Sequence, residues 1–332
     1  MAVYMKPVSL PSPLSTHHNS LSKVPVVFQD LNGATGLVQW SDELSRFTHV
    51  ASFQDPNASP CGGGSFRDGC PQNQVEGMYT VHVLGPDADP NYVYFGKPFV
   101  QYRVRRSVKA MANQSAWEAW TPLKAGARNG TEVDPGGYGW KAGLNQFGQG
   151  AERALIQQGK MSATVARLQP VDPDGNIGGC DWGASPLLGN GDVQYNTYMK
   201  KYVLIASKAM HSCARESHYG EIWLGLADEI TGPWTSIKRV ATHATTGTSC
   251  YNPLQLPFLQ EGGGSRIYFA CTITSAFSYT TNDRSKAKGY SCSWDSVGGQ
   301  GCDVSIPRYE YNNMVFAVDM DELSRRRWGA AY

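Results

Sequence analysis

Beyond residue 24 the chain is a succession of short apolar runs cut apart by glycine, proline and asparagine. That punctuation leaves room for strands and very little for helices. The runs are Pro25–Phe28, Thr35–Trp40, Phe47–Phe53, Met78–Leu84, Tyr92–Phe95, Phe99–Val104, Ser162–Leu168, Lys201–Ser207, Glu221–Ala227, Trp234–Val240, Arg266–Thr274 and Met314–Val318. They are rich in Val, Ile, Tyr, Phe and Thr, which suit a pleated, half-buried surface. Val203-Leu204-Ile205-Ala206 is apolar throughout and predicts an inner strand covered on both faces. Helical patterning is confined to Gly150–Gln158 and Asp319–Arg327, too short to organise a core. The expectation is an all-β protein of repeated antiparallel units, a description that sandwiches, barrels and propellers share.

Composition narrows the setting. Hydrophobic residues make up 41% of the 332 and can supply a core, while charged residues make up 17%, below an average of about 25%. The polar surface must then come from Ser, Thr, Asn, Gln and Gly, as is common in extracellular β proteins. Net charge is +1, and the longest basic runs are Arg103-Val104-Arg105-Arg106 and Arg325-Arg326-Arg327, too narrow for a nucleic-acid face. No stretch approaches the roughly 18 apolar residues of a membrane span. Residues 1–24, rich in Pro, Ser and His, are expected to form a disordered or extended arm. They lack the apolar core of a signal peptide, and the expectation is that a signal was removed or that this sequence is incomplete at its N-terminal end.

The eight cysteines are Cys61, Cys70, Cys180, Cys213, Cys250, Cys271, Cys292 and Cys302. An even number without C-x-x-C spacing argues for disulfides rather than a zinc site. Cys61 with Cys70, and Cys292 with Cys302, bracket glycine-rich segments and are expected to staple them; the pairing of the other four stays open. Three sequons, Asn57-Ala58-Ser59, Asn113-Gln114-Ser115 and Asn129-Gly130-Thr131, agree with a secreted glycoprotein.

Residues 195–240 point to an architecture. They read as a turn at Thr197–Lys200, a strand over Lys201–Ser207, a long loop, a strand over Glu221–Ala227, a turn at Asp228–Pro233 and an outer strand from Trp234. This is most of one four-stranded blade, and residues 251–274 restart the pattern.

On these residues the chain resembles the five-bladed β-propeller group that includes the endo-D-arabinanases, itself distantly similar to the arabinanase and β-xylosidase clan. Met78–Phe95, Phe99–Arg106 and Trp117–Trp120 resemble that group's strand pair leading into a W-x-x-W ending. Gly191-Asp192-Val193-Gln194-Tyr195-Asn196 followed by Lys201–Ile205 resembles its acidic residue ahead of an inner strand. Glu221–Ala227 with Gly232-Pro233-Trp234, then Cys250-Tyr251-Asn252-Pro253 with Ile267–Thr274, resemble successive blades, and Tyr311-Asn312 with Met314–Met320 the closing strand. The order of these motifs over residues 78–322 carries the resemblance. It implies one five-bladed propeller domain over residues 25–332, with insertion loops near 55–76 and 125–160, acting on a polysaccharide or glycan. The group's opening blade ends in an acidic Gly-Asp strand; residues 1–60 have no clear equivalent, Asp30 being the nearest.

Glycosidases place two carboxyl groups about the scissile bond. The candidates are Asp181, in GGCDWGASP beside Trp182; Asp192, ahead of Tyr195-Asn196; and Glu221, on the alternation of Trp223, whose ring would desolvate a general acid. Each has a plain alternative: a turn cap for Asp181, an Asn-Gly-Asp turn for Asp192, an exposed strand end for Glu221. Substrate contacts are expected from Trp182, Tyr195, His211, Arg215, His218, Tyr251 and Asn252. The leading expectation is a secreted, monomeric glycoside hydrolase-like protein using two of the three acids. The alternatives are a non-catalytic glycan-binding propeller, or a polysaccharide lyase using His211, Arg215, His218 and Tyr219. No G-x-S-x-G, P-loop, H-E-x-x-H or EF-hand pattern is present. No metal site or redox or nucleotide cofactor is expected, with a structural calcium left open.

Overall fold

The computed structural model describes residues 4–5, 25–29, 35–52, 79–124, 132–142, 147–169, 187–208, 221–241, 249–274 and 312–325. It is mostly β and divides into two compact units: residues 1–84 with 89–151, and residues 85–88 with 152–332.

The first unit holds two antiparallel sheets in chain order. One is formed by β1 (Tyr4–Met5), β2 (Pro25–Gln29), β3 (Thr35–Ser41) and β4 (Arg46–Ser52). β1, within the arm, pairs with β2, so the opening residues contribute a four-stranded meander. The other is formed by β5 (Tyr79–Thr80), β6 (Tyr92–Gly96), β7 (Val100–Arg105), β8 (Glu118–Thr121) and β9 (Gly139–Ala142). Helix α1 (Val108–Met111), capped by Ser107 Oγ accepting from Ala110 N at 3.2 Å, links β7 to β8. Part of the expected 125–160 insertion is therefore the fifth strand of a sheet.

Strand alternation sorts the second sheet into two faces. One carries Val93, Phe95, Tyr102 and Val104 around Trp117, whose ring stacks on Phe95 at 4.9 Å and whose Nε1 donates to Met111 O. The Tyr102 hydroxyl is wholly buried there with no hydrogen-bond partner among the described residues, and burial pushes its pKa above the usual tyrosine range. The other face carries Tyr92, Tyr94, Trp120 and Trp140. The Arg103 guanidinium lies 4.3 Å from the Tyr92 ring centre and 4.7 Å from that of Trp140, and is paired with Glu118.

Lys141 on β9 donates to Leu123 O and to Asp134 Oδ2, at 2.6 and 2.8 Å. Its hydrogen bond, with one from Gly136 N, holds the Asp134 carboxyl below the usual range. A depressed aspartate stabilises the fold at pH above its ordinary value and ceases to do so as pH falls through the folded value. In Lys141→Met we expect the Asp134 titration midpoint, followed by NMR, to return towards the ordinary carboxylate range. An unmoved midpoint would contradict the assignment.

The second unit holds helix α2 (Gln149–Gln157) from Glu152 onward and two further sheets. β10 (Leu188–Asn196), β11 (Lys201–Lys208), β12 (Ile222–Ala227) and β13 (Thr235–Ala241) form one. β14 (Ser249–Gln255), β15 (Arg266–Thr274) and β16 (Asn312–Asp319) form the other, followed by α3 (Met320–Arg325). Val203, Ile205, Ile222 and Leu224 of the first sheet pack against Cys250, Ile267, Phe269, Cys271 and Met320. Within that core Cys250 and Cys271 form a disulfide across the β14–β15 pair, with Cα atoms 5.2 Å apart. Cys61, Cys70, Cys292 and Cys302 lie outside the described residues.

Two expectations change. Ser162–Leu168 is not a strand: Ala163–Val165 form a 3-10 turn started by Ser162 Oγ accepting from Thr164 N. The amides of Arg167 and Leu168, which a ladder would need, donate to the Glu152 carboxylate instead, at 2.6 and 3.0 Å. The edge strand of the 195–240 blade is β10, ahead of β11, so Asp192 lies inside a strand, neither at the head of the inner strand nor in an Asn-Gly-Asp turn. Gly191 explains how: a Cβ there would lie 2.2 Å from Ile205 O, so only glycine permits the close approach beside the β10–β11 bulge.

Candidate functional site

In the second unit β10 meets β14. Side chains at 190, 192, 194 and 196 share one face of β10, and all four are polar and buried. That face meets β14 with both strands running the same way: Asn190 contacts Asn252, Asp192 contacts Gln255, and Asn196 reaches Gly264 O beyond the end of β14. The starts of β10 and β14 therefore lie at one end. The pairings Leu188 with Lys208, Ile222 with Ala241 and Ser249 with Thr274 bring to that same end the strand ends from which residues 209–220, 242–248 and 275–311 depart.

Asp192 is 1% exposed and its carboxylate is engaged on both oxygens. Oδ1 accepts from Gln255 N at 3.0 Å and Gln255 Nε2 at 3.3 Å, while Oδ2 accepts from Gln194 Nε2 at 2.9 Å. Gln255 Nε2 also donates to Val203 O at 2.9 Å. The β14 register shifts between Tyr251 and Leu254, and Asn252 within that irregularity has φ 52°, a left-handed conformation that asparagine tolerates better than most residues. Asp192 thus clamps the backbone just beyond the irregularity, which sets Tyr251 and Asn252 half-buried at the end of the unit. The Asn190 side-chain amide donates to Asn252 Oδ1 and fixes its orientation.

Glu221 belongs to a different face. It shares the alternation of Trp223, as expected, and Trp223 Nε1 donates to its Oε2 at 3.0 Å. The ring does not isolate the carboxyl group, however. Arg239 lies 3.1 Å from Oε1 and Lys208 3.9 Å from Oε2, so two cations compensate a carboxylate that is 4% exposed.

The register decides whether the two acids can cooperate. Asp192 pairs with Ile205, and Ile205 with Leu224, so these three share a face, and Glu221, three residues before Leu224, points to the opposite one. Two strand spacings of about 4.8 Å and three rises of about 3.3 Å separate their Cα atoms by about 14 Å. The sheet thus stands between Asp192 and Glu221, and they do not flank a common bond. Tyr195 is likewise on the face away from Asp192, edge-on to Tyr202 with ring centres 5.1 Å apart and packed over Gly85.

Asp30, Asp181, Trp182, His211, Arg215, His218 and Tyr219 lie outside the described residues. Sequence reasoning missed Asn190, Gln194 and Gln255; the alternation of polar residues through 190–196 was the available signal. Among the described residues there is no group of three or more His, Cys, Asp or Glu placed to hold a metal ion, and no helix long and apolar enough to cross a membrane. No protein-family model matches the chain, and no curated protein matches it.

Proposed function

We propose that the chain is a secreted, glycan-binding protein of β-propeller type, whose ligand rests at the end of the second unit where β10 and β14 begin. The observation that carries this reading is the engagement of Asp192 and Glu221 in separate buried networks on opposite faces of one sheet. Carboxylates held that way position strands, and their placement on opposite faces keeps them from flanking one glycosidic bond. Half-buried at the start of β14, Tyr251 and Asn252 offer an aromatic ring and a side-chain amide, a pair suited to stacking on a sugar and to hydrogen bonding its hydroxyls. The propeller is supported by four antiparallel sheets in which neighbouring strands follow chain order, and by the motif order shared with the endo-D-arabinanase group. Five blades arranged about a channel complete that architecture.

The test is affinity electrophoresis through gels carrying plant, algal or bacterial polysaccharides. Asn252→Gly keeps the left-handed backbone and removes the amide, and we expect it to weaken retention roughly tenfold, the worth of one or two hydrogen bonds, with a small fall in the melting midpoint because Asn190 loses its acceptor. Tyr251→Ala should weaken it at least as much. Retention that neither substitution alters would place the ligand elsewhere and overturn this site.

A further inference from the structure

We infer that Asn113 is an N-glycosylation acceptor, modified on Nδ2 by an oligosaccharide as the chain passes through a secretory pathway. The inference rests on the secreted reading but not on the glycan-binding one.

The sequon Asn113-Gln114-Ser115 has no proline at its middle position and lies between α1 and β8. Three features of this segment fit the chemistry. First, access: Asn113 and Ser115 are both exposed, although Met111 and Trp117 on either side are buried at 2% and 1%. The core thus anchors the turn from both ends and turns the sequon outward. Second, conformation: Asn113 Oδ1 accepts from Ser115 Oγ at 2.8 Å and from Ser115 N at 3.2 Å. This Asx turn brings the hydroxyl of the third sequon residue onto the carbonyl of the first. Third, freedom: both of those bonds use the oxygen, and the Nδ2 amino group has no hydrogen-bond partner among the described residues. The backbone of Asn113 is spent locally, its N–H on Ala110 O and its carbonyl on Ala116 N, so the turn does not depend on that nitrogen.

The transfer needs a co-reactant, a lipid-pyrophosphate-linked oligosaccharide presented by a membrane transferase. The bond from the anomeric carbon to the pyrophosphate oxygen breaks, and a bond from that carbon to Asn113 Nδ2 forms. The amide nitrogen loses one proton to the transferase, and the lipid pyrophosphate leaves. No oxidation state changes. The exposed turn then carries the bulky product without displacing any buried side chain.

The experiment expresses the full chain behind a host leader in a glycosylation-competent eukaryotic cell. It is followed by peptide mass spectrometry before and after an amidase that releases N-glycans in heavy-oxygen water. We expect the peptide containing residue 113 to be glycosylated and, after release, to carry an aspartate with the heavy label at position 113. Ser115→Ala should abolish that modification and Ser115→Thr retain it, while neither alters the melting curve. An unmodified Asn113 in protein recovered from the secretory pathway overturns the inference. Because peptides are mapped singly, glycans on Asn57 or Asn129 are scored separately and cannot stand in for it. Failure of the secreted reading shows separately, as a chain that does not reach the medium behind the leader or that arrives without its Cys250–Cys271 disulfide.

Discussion

Asp192→Ala is expected to lower the stability of the chain by roughly 3–5 kcal/mol. The substitution leaves the Gln255 backbone amide, the Gln255 side-chain amide and the Gln194 side-chain amide short of an acceptor in a site that is 1% exposed. For a unit of this size that corresponds to a fall of roughly 10 °C in the thermal midpoint. Asp192→Asn should be milder, about 1–2 kcal/mol, because an asparagine oxygen can still serve Gln255 and Gln194 can turn its own amide to meet the new donor. A catalytic aspartate gives the reverse pattern, with stability kept and activity lost in both variants. Circular dichroism melting of the two separates these outcomes directly.

The second large effect concerns the Cys250–Cys271 disulfide. It closes a 21-residue separation within the core that joins the two sheets of the second unit, and both cysteines are at most 3% exposed. Loop-closure entropy for that length is worth about 3 kcal/mol. Replacing both cysteines by alanine should therefore lower the midpoint by roughly 6–12 °C. A reducing agent should lower that of the native chain in the same direction, and by more than it lowers that of the double variant. An unchanged midpoint in the double variant would show that the cross-link constrains nothing that the surrounding β14–β15 ladder does not already hold.

Much of the strand framework was legible because most strands bury apolar residues. The run Arg266–Thr274 coincides with β15 at both ends, and Lys201–Ser207 falls one residue short of β11. β10 escaped for a physical reason. Its buried face is made of Asn190, Asp192, Gln194 and Asn196, satisfied by amides and backbone groups of β14 and the turn beyond it, so the usual inward-apolar alternation is inverted. Asp192 and Tyr195 were both candidates for one site at the head of the inner strand, whereas within a strand three positions apart means opposite faces. β9 was hidden similarly, because Gly139-Trp140-Lys141-Ala142 is half-exposed and shows no run of apolar residues. The disulfide had no local mark: its cysteines come together only through the register of β14 and β15. Glu221 and Trp223 were correctly placed on one face, yet the two cations beside the carboxylate come from β11 and β13, distant in sequence.

The most direct measurement is a screen of the purified, disulfide-intact chain against plant, algal and bacterial polysaccharides. It would record retention, released reducing ends and the absorbance of unsaturated uronates on the same samples. Retention on at least one polymer, with neither product formed, is the expected result. New reducing ends that vanish in Asp192→Asn and Glu221→Gln, while both variants melt with the native chain, would contradict it and restore the two carboxylates as a catalytic pair.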